Sequence, residues 1–182
     1  MYKFEAVVFL TDGFEDIEAI AVIDILRRGN VNVKTVSIGN SVLESKQAVK
    51  VSADLLYSDI AGSFQADMLC LPGGPGYTNY LKHKPLLEQL KKQCESGKYV
   101  AAICAAPVVL GSIGLLEGKK AVCFTGMEEG LKGAVYTDQK VVVDGNIITG
   151  KAAGAAIDFA LKLLELLKGA DVSESVRQDI CY

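Results

Sequence analysis

The chain has 182 residues, half of them hydrophobic and 23% charged, which is the size and balance of one globular domain (residues 1–182) with a sizeable core. A formal net charge of −3, a pI near 5.3 and the lack of aromatic residues interleaved with a basic cluster argue against nucleic acid or an anionic membrane as partners. No apolar stretch approaches the roughly 20 residues of a membrane span, and Met1 to Glu5 runs straight into an expected strand rather than a secretory leader, so a cytoplasmic protein is expected.

Ala6 to Leu10 reads as a buried strand, and Thr11-Asp12-Gly13 as its turn. A helix is expected from Glu15 to Arg28, stopped by Gly29-Asn30. It is apolar on most faces through Ile17, Ile20, Ala21, Ile23, Ile25 and Leu26, which suits a helix held between the sheet and a second subunit. Glu18 stands out in this apolar region; from the residues alone, a carboxylate in the first turn complements the helix dipole and snorkels to water. Val33 to Ile38 reads as the second strand, with weaker strand signals at Leu43 to Val51 and Leu55 to Tyr57. A short helix over Asp59 to Gln65 then precedes a strong strand at Met68 to Leu71. The following Pro72-Gly73-Gly74-Pro75-Gly76 is either a plain turn or a loop whose backbone N–H groups face a negative charge. Pro85 to Ser96 is an amphipathic helix with Leu86, Leu87, Leu90 and Cys94 inward and Gly97 as its stop.

Tyr99 to Ile103 has the short apolar run of a buried parallel strand, a pattern that a buried helix segment shares. Pro107 separates the two, because proline suits the first turn of a helix and places a helix start just after Cys104. Cys104 is therefore on a strand-to-helix elbow, with small neighbours Ala105 and Ala106 leaving room for the bend. There the free N–H groups of the helix end favour a thiolate; the competing reading is a small buried hydrophobe. Farther on, Lys120 to Phe124 reads as a strand, Val141 to Val143 and Ile147 to Thr149 as a hairpin about Asp144-Gly145-Asn146, and Gly154 to Leu167 as a helix, with a weakly periodic tail that docks as another.

Five cysteines, unevenly spaced and without a C-x-x-C pair, suggest neither a disulfide framework nor a zinc site, and the single histidine, His83, lies in a polar segment before a helix. No metal and no cofactor are expected. Gly145 to Lys151 has the spacing of a phosphate-binding loop, but Ala152 follows where Ser or Thr should hold magnesium, and Ile147 to Thr149 reads as strand.

Alternating strands and helices with a late hairpin are the pattern of a three-layer α/β/α sandwich, whose ligands gather at the carboxyl ends of the central strands. Asp12-Gly13, Gly73-Gly74 and Cys104 each follow a strand. Gly13 to Glu18, Leu71 to Gly74 and Ala101 to Pro107, in this order and spacing, resemble the DJ-1/ThiJ/PfpI superfamily. The likeness runs on through Lys119 to Cys123 and Asp144 to Gly150 to Asp158 to Leu161. The resemblance implies a flavodoxin-like, mostly parallel sheet, a homodimer, Cys104 as nucleophile and Glu18 as its proton partner. It further implies that N–H groups near Gly73 and Gly74, and that of Ala105, serve an oxyanion. The activity it implies is cofactor-independent chemistry on a small reactive aldehyde or glycated substrate, of glyoxalase or deglycase type. The alternative is a redox sensor or holding chaperone in which Cys104 becomes a sulfinate. Peptidase and amidotransferase activities are disfavoured, because Ala105 stands where protease-like members have histidine and His83 is poorly placed as a base. Phe124 replaces the histidine or tyrosine of other relatives, which removes one proton-carrying side chain.

Overall fold

A computed structural model describes every residue except Met1 and Gly62. In chain order the first half comprises β1 (Tyr2–Leu10), α1 (Asp16–Arg28), β2 (Val33–Ser37), β3 (Val42–Glu44), β4 (Lys50–Ser52), β5 (Leu55–Leu56), α2 (Tyr57–Ile60), β6 (Phe64–Leu71), α3 (Tyr77–Lys82) and α4 (Lys84–Glu95). The second comprises β7 (Tyr99–Ile103), α5 (Pro107–Ser112), β8 (Lys120–Ala121), β9 (Val135–Tyr136), β10 (Val141–Asp144), β11 (Ile147–Gly150), α6 (Ala156–Lys168) and α7 (Ala170–Asp179). Seven strands form one sheet in the order β10-β11-β7-β6-β1-β2-β5, parallel throughout except for the β10–β11 hairpin.

The apolar runs of the central strands are continuous because both faces of the sheet are covered. Ala6, Val8 and Leu10 of β1, Met68 and Cys70 of β6, and Ala101 and Ile103 of β7 point into a core shared with α1, α6 and α7. The alternate residues Val7, Phe9, Leu69, Leu71, Val100 and Ala102 enter a second core with α2 to α5, as a period of two requires. The sheet is thus the middle layer of an α/β/α sandwich. From β1 the chain crosses to β2 on one side and returns to β6 on the other. The carboxyl ends of β1 and β6 therefore diverge at a topological switch point, with β7 next to it. Among the described residues no helix is long and apolar enough to cross a membrane.

Several elements differ from the sequence reading where tertiary pairing overrides local pattern. The expected helix over Asp59 to Gln65 is replaced by the earlier α2 and by the start of β6, because Phe64, Gln65 and Ala66 pair with Tyr2, Lys3 and Phe4 of β1. Leu43 to Val51 is not one strand but the antiparallel pair β3–β4, whose turn places Ala48 at φ 63°. The strand expected through Phe124 stops at Ala121, since the Val122 N–H is donated to Thr149 Oγ1 (3.0 Å) and the Phe124 N–H to the Cys104 carbonyl (2.8 Å). Helix α3, absent from the sequence reading, is only six residues long; it is anchored by fully buried Tyr80, whose hydroxyl donates to the Phe9 carbonyl at 3.0 Å. Helix α1 does stop at Gly29-Asn30 as expected, with Asn30 in the left-handed conformation at φ 56°.

One close approach joins the fold to the site. Gly150, at the end of β11, accepts the Cys104 N–H at 2.9 Å, and a Cβ there would lie 2.8 Å from Phe159 Cδ2 and 2.9 Å from Ile103 Cγ1. Gly150→Val should therefore lower the unfolding free energy by about 1–3 kcal/mol through overpacking. Gly39→Ala, at a position with nothing within 4 Å, should stay within about 0.5 kcal/mol of wild type in the same urea titration.

Candidate functional site

At the end of β7, Cys104 adopts φ +65°, a left-handed conformation that costs a non-glycine residue roughly 1–2 kcal/mol. It is held there from both sides: its N–H is donated to Gly150 and its carbonyl accepts the N–H of Phe124. Ala106 then turns into helical geometry and Pro107 opens α5, as the sequence indicates. The bend leaves the sulfur facing the backbone N–H groups of Gly74 and Ala105.

The loop after β6 brings the second component. Gly74 has φ +88°, and a Cβ on it would lie 2.5 Å from the Glu15 nitrogen. Gly73 is needed for a different reason, because a Cβ on it would sit 2.7 Å from Glu18 Oε2 and 2.8 Å from Cys104 Cβ. The backbone itself thus fills the space between the carboxyl and the cysteine. Of the two glycines, Gly74 faces the sulfur, whereas the Gly73 N–H is occupied by Glu18 Oε2 at 2.9 Å. This corrects the expectation that N–H groups of both glycines point at an oxyanion.

Glu18 comes from the first turn of α1, where Glu15 caps the helix by accepting the Glu18 N–H at 2.8 Å. The side chain does not snorkel: Glu18 is 0% exposed and turns inward. Its Oε1 is buried without a completed hydrogen bond; the neighbouring Cys104 thiol interacts with the carboxyl, while the static geometry leaves that oxygen open. Burial raises the carboxyl to about 7, and the Glu15 charge adds to this. The Cys104 contact, the Gly73 N–H and the Lys46 charge act in the opposite direction. Burial likewise pushes Cys104 up to about 12, reinforced by the Glu18 charge and hydrogen bond and opposed by the Gly74 and Ala105 N–H groups. The elbow's N–H groups therefore do not by themselves produce a thiolate. The two groups form one unit that gives up a first proton near neutrality and holds the second strongly.

Cys70 lies in the same core, fully buried, and burial together with the Glu18 charge raises its thiol far above the physiological range. Above the pair is a cavity of about 340 Å³, walled by Tyr77, Phe124, Met127 and Ala152, with Glu15 and Lys46 among its charged residues. Phe124 is 47% exposed on this wall and carries no titratable group. The remaining candidates lie elsewhere. His83 caps α4 by accepting the Leu86 N–H at Nδ1 (3.2 Å) and sets its ring edge against Tyr57. Cys123 donates to the Phe124 carbonyl, Cys94 sits beside Asn146, and Cys181 is exposed near the C-terminus. Gly145 to Lys151 is a turn and strand, with Lys151 paired to Asp138. Sequence reasoning missed Lys46, Tyr77 and Met127. Lys46 is one of many exposed lysines, and nothing in its local sequence marks it.

Comparison with known proteins agrees with this fold. The model of the DJ-1/PfpI family matches residues 5–166. Protein DJ-1 homolog B of Arabidopsis thaliana is 39% identical over 165 residues; the match covers 89% of this chain and 37% of that protein, so the chain spans well under half of that relative's length. A glutathione-independent glyoxalase of Caenorhabditis elegans is 30% identical over 92% of this chain and 90% of its own. The crystal structure of Drosophila melanogaster DJ-1beta superposes with a TM-score of 0.92 at 32% identity, covering 100% of this chain and 98% of that one.

The burial of Glu18 has a measurable cost. Its folded-state value near 7 lies above the ordinary 4.5, so the folded chain binds the proton more tightly than the unfolded one. The stability this confers is fully present below pH 4.5 and is lost as pH rises through 7. Relative to Glu18→Gln, wild type should lose up to about 3 kcal/mol between pH 4.5 and pH 8, read from denaturant unfolding at each pH. Parallel pH profiles for the two proteins would contradict this assignment.

Proposed function

This chain belongs to the DJ-1/PfpI family, and from that premise we propose that it is a cofactor-independent enzyme of reactive carbonyls, acting as a cytoplasmic homodimer with Cys104 as nucleophile and Glu18 as proton carrier. The observation that carries this reading is the pairing of a fully buried carboxyl with an elbow cysteine across a glycine backbone. With a 2-oxoaldehyde such as methylglyoxal, the sulfur of Cys104 adds to the aldehyde carbon, the carbonyl π bond opens, and the oxygen takes up the proton that the pair holds. The N–H groups of Gly74 and Ala105, which face the sulfur, serve the developing oxyanion. Glu18 then takes the proton from the former aldehyde carbon, and a proton is returned to the neighbouring carbon. The first carbon is oxidised and the second reduced within one molecule. Water releases the resulting thioester as the 2-hydroxy acid and restores the thiol. The electron balance is internal, so no redox cofactor takes part. Phe124 cannot relay protons, and Glu18, hydrogen-bonded within the pair, is the carboxyl assigned that task.

Support for the homodimer comes from α1, where Ile17 and Ile20 are 56% and 46% exposed on the face opposite its buried Val22, Ile25 and Leu26. A second functional reading is favoured by Phe124 and by the two N–H groups at the sulfur. Cys104 oxidised to a sulfinate would be held by Gly74, Ala105 and protonated Glu18, and the protein would act as a redox sensor or holding chaperone.

Turnover of methylglyoxal to lactate tests the choice. Cys104→Ser should abolish it, and Glu18→Gln should lower kcat by about 10²–10⁴-fold. A stoichiometric adduct on Cys104 without lactate would refute the enzymatic reading. In that event the sulfinate reading requires mild peroxide to modify Cys104 ahead of Cys70, Cys94, Cys123 and Cys181, as seen by peptide mass spectrometry.

A further inference from the structure

The β3–β4 hairpin stands outside the seven-stranded sheet, yet its turn is tied to the segment that carries Glu15 and Glu18. The Gly13 N–H is donated to the Glu44 carbonyl (2.8 Å), the Glu44 N–H to Asp12 Oδ1 (2.9 Å) and the Lys46 N–H to the Phe14 carbonyl (2.8 Å). Buried Ser45 donates its hydroxyl to Asp16 Oδ1, and the Gln47 N–H reaches Asp16 Oδ2 at 3.3 Å. Five contacts within four residues fix this turn more firmly than its two three-residue strands require. What the turn contributes to the cavity above Cys104 is Lys46.

Lys46 is the one cationic side chain in the cavity lining, and among the described residues no carboxylate forms an ion pair with it. The nearby carboxylates have other tasks: Glu15 Oε2 accepts the Glu18 N–H, and Glu18 Oε2 accepts the Gly73 N–H. Without a cation, a site holding Glu15 and the Cys104–Glu18 pair would repel an anion and favour neutral carbonyls. An unpaired ammonium on a fixed turn reverses that preference, provided the negative group is carried beyond the reacting carbon.

We infer that Lys46 is a specificity-determining residue, which selects electrophiles carrying a negative charge, a carboxylate above all, beyond the carbon that Cys104 attacks. Resting on the reactive-carbonyl reading above, this names the substrate class as 2-oxoaldehydes bearing a carboxylate, such as 4,5-dioxovalerate, in preference to neutral methylglyoxal.

The test uses two alkylating agents of nearly equal size, anionic iodoacetate and neutral iodoacetamide. In each the thiolate forms an S–C bond and iodide leaves, so the ratio of their rates at Cys104 cancels changes in thiol ionisation. Exposed Cys181 serves as the reference in the same molecule. Lys46→Met should lower the iodoacetate-to-iodoacetamide ratio at Cys104 by about three- to tenfold with no change at Cys181, Lys46→Arg should keep it, and added salt should bring the wild-type ratio towards that of Lys46→Met. A ratio indifferent to Lys46→Met would overturn the inference. In turnover, the same variant should lower the preference for dioxovalerate over methylglyoxal, mainly through KM. Failure of wild type to turn over either aldehyde would refute the reactive-carbonyl reading, and the alkylation ratio, which needs no turnover, would still decide the role of Lys46.

Discussion

The hydrogen bond from the Gly73 amide to the Glu18 carboxyl joins two of three strand ends that are far apart in sequence and meet at the site. Glu18 enters from the helix after β1, Gly73 from the loop after β6, and Cys104 from the elbow after β7. They meet because β1, β6 and β7 are consecutive neighbours in the sheet. Burying a carboxyl is costly, and a single backbone donor offsets only part of the lost hydration. The remainder appears as a raised proton affinity, with the carboxyl pushed up to about 7 beside the Cys104 sulfur. The same burial weakens the folded state as pH rises through that value.

The surroundings of this pair are rigid for separate physical reasons. Gly73 cannot gain a side chain without striking Glu18 and Cys104, and Gly74 is in a left-handed conformation between Gly13 and Glu15. Cys104, also left-handed but not glycine, is secured by Gly150 on one side and Phe124 on the other. Gly150 in turn is small so that Phe159 of α6 and Ile103 can close over the end of the sheet. The helical layer, the hairpin β10–β11 and the elbow are thus parts of one packing problem. The β3–β4 turn adds the cationic component of the cavity from outside the sheet.

Much of this was legible in the sequence where the signal is local. The apolar runs of β1 and β7, the amphipathic period of α4, and the Asp144-Gly145-Asn146 turn mark their elements directly. The elbow could be placed because Pro107 fixes where a helix can begin. The early start of β6 and the early end of β8 could not, since both depend on which strand or side chain takes the next backbone N–H. Within the candidate site, the elbow position of Cys104 was readable from its neighbours. Glu18 was not: a glutamate in the first turn of an apolar helix looks like a solvated charge, and only the resemblance to a known family pointed inward. Gly73 was located correctly, but its N–H serves the carboxyl rather than an oxyanion. Lys46 had no local signal, because its position depends on side-chain and backbone contacts between a hairpin and a loop some thirty residues earlier.

The central claim is that Glu18 and Cys104 share their protons as one unit. It is tested most directly by the pH dependence of iodoacetamide alkylation at Cys104, resolved by peptide, in wild type and Glu18→Gln. In wild type, reactivity should begin to rise near pH 7 as the pair loses its first proton and should stay incomplete well into the alkaline range, because the second loss is pushed up to about 12. In Glu18→Gln the two steps should merge into a single one between those limits. A single step near the ordinary ~8.5 in both proteins would show that carboxyl and thiol titrate independently, and would contradict the account.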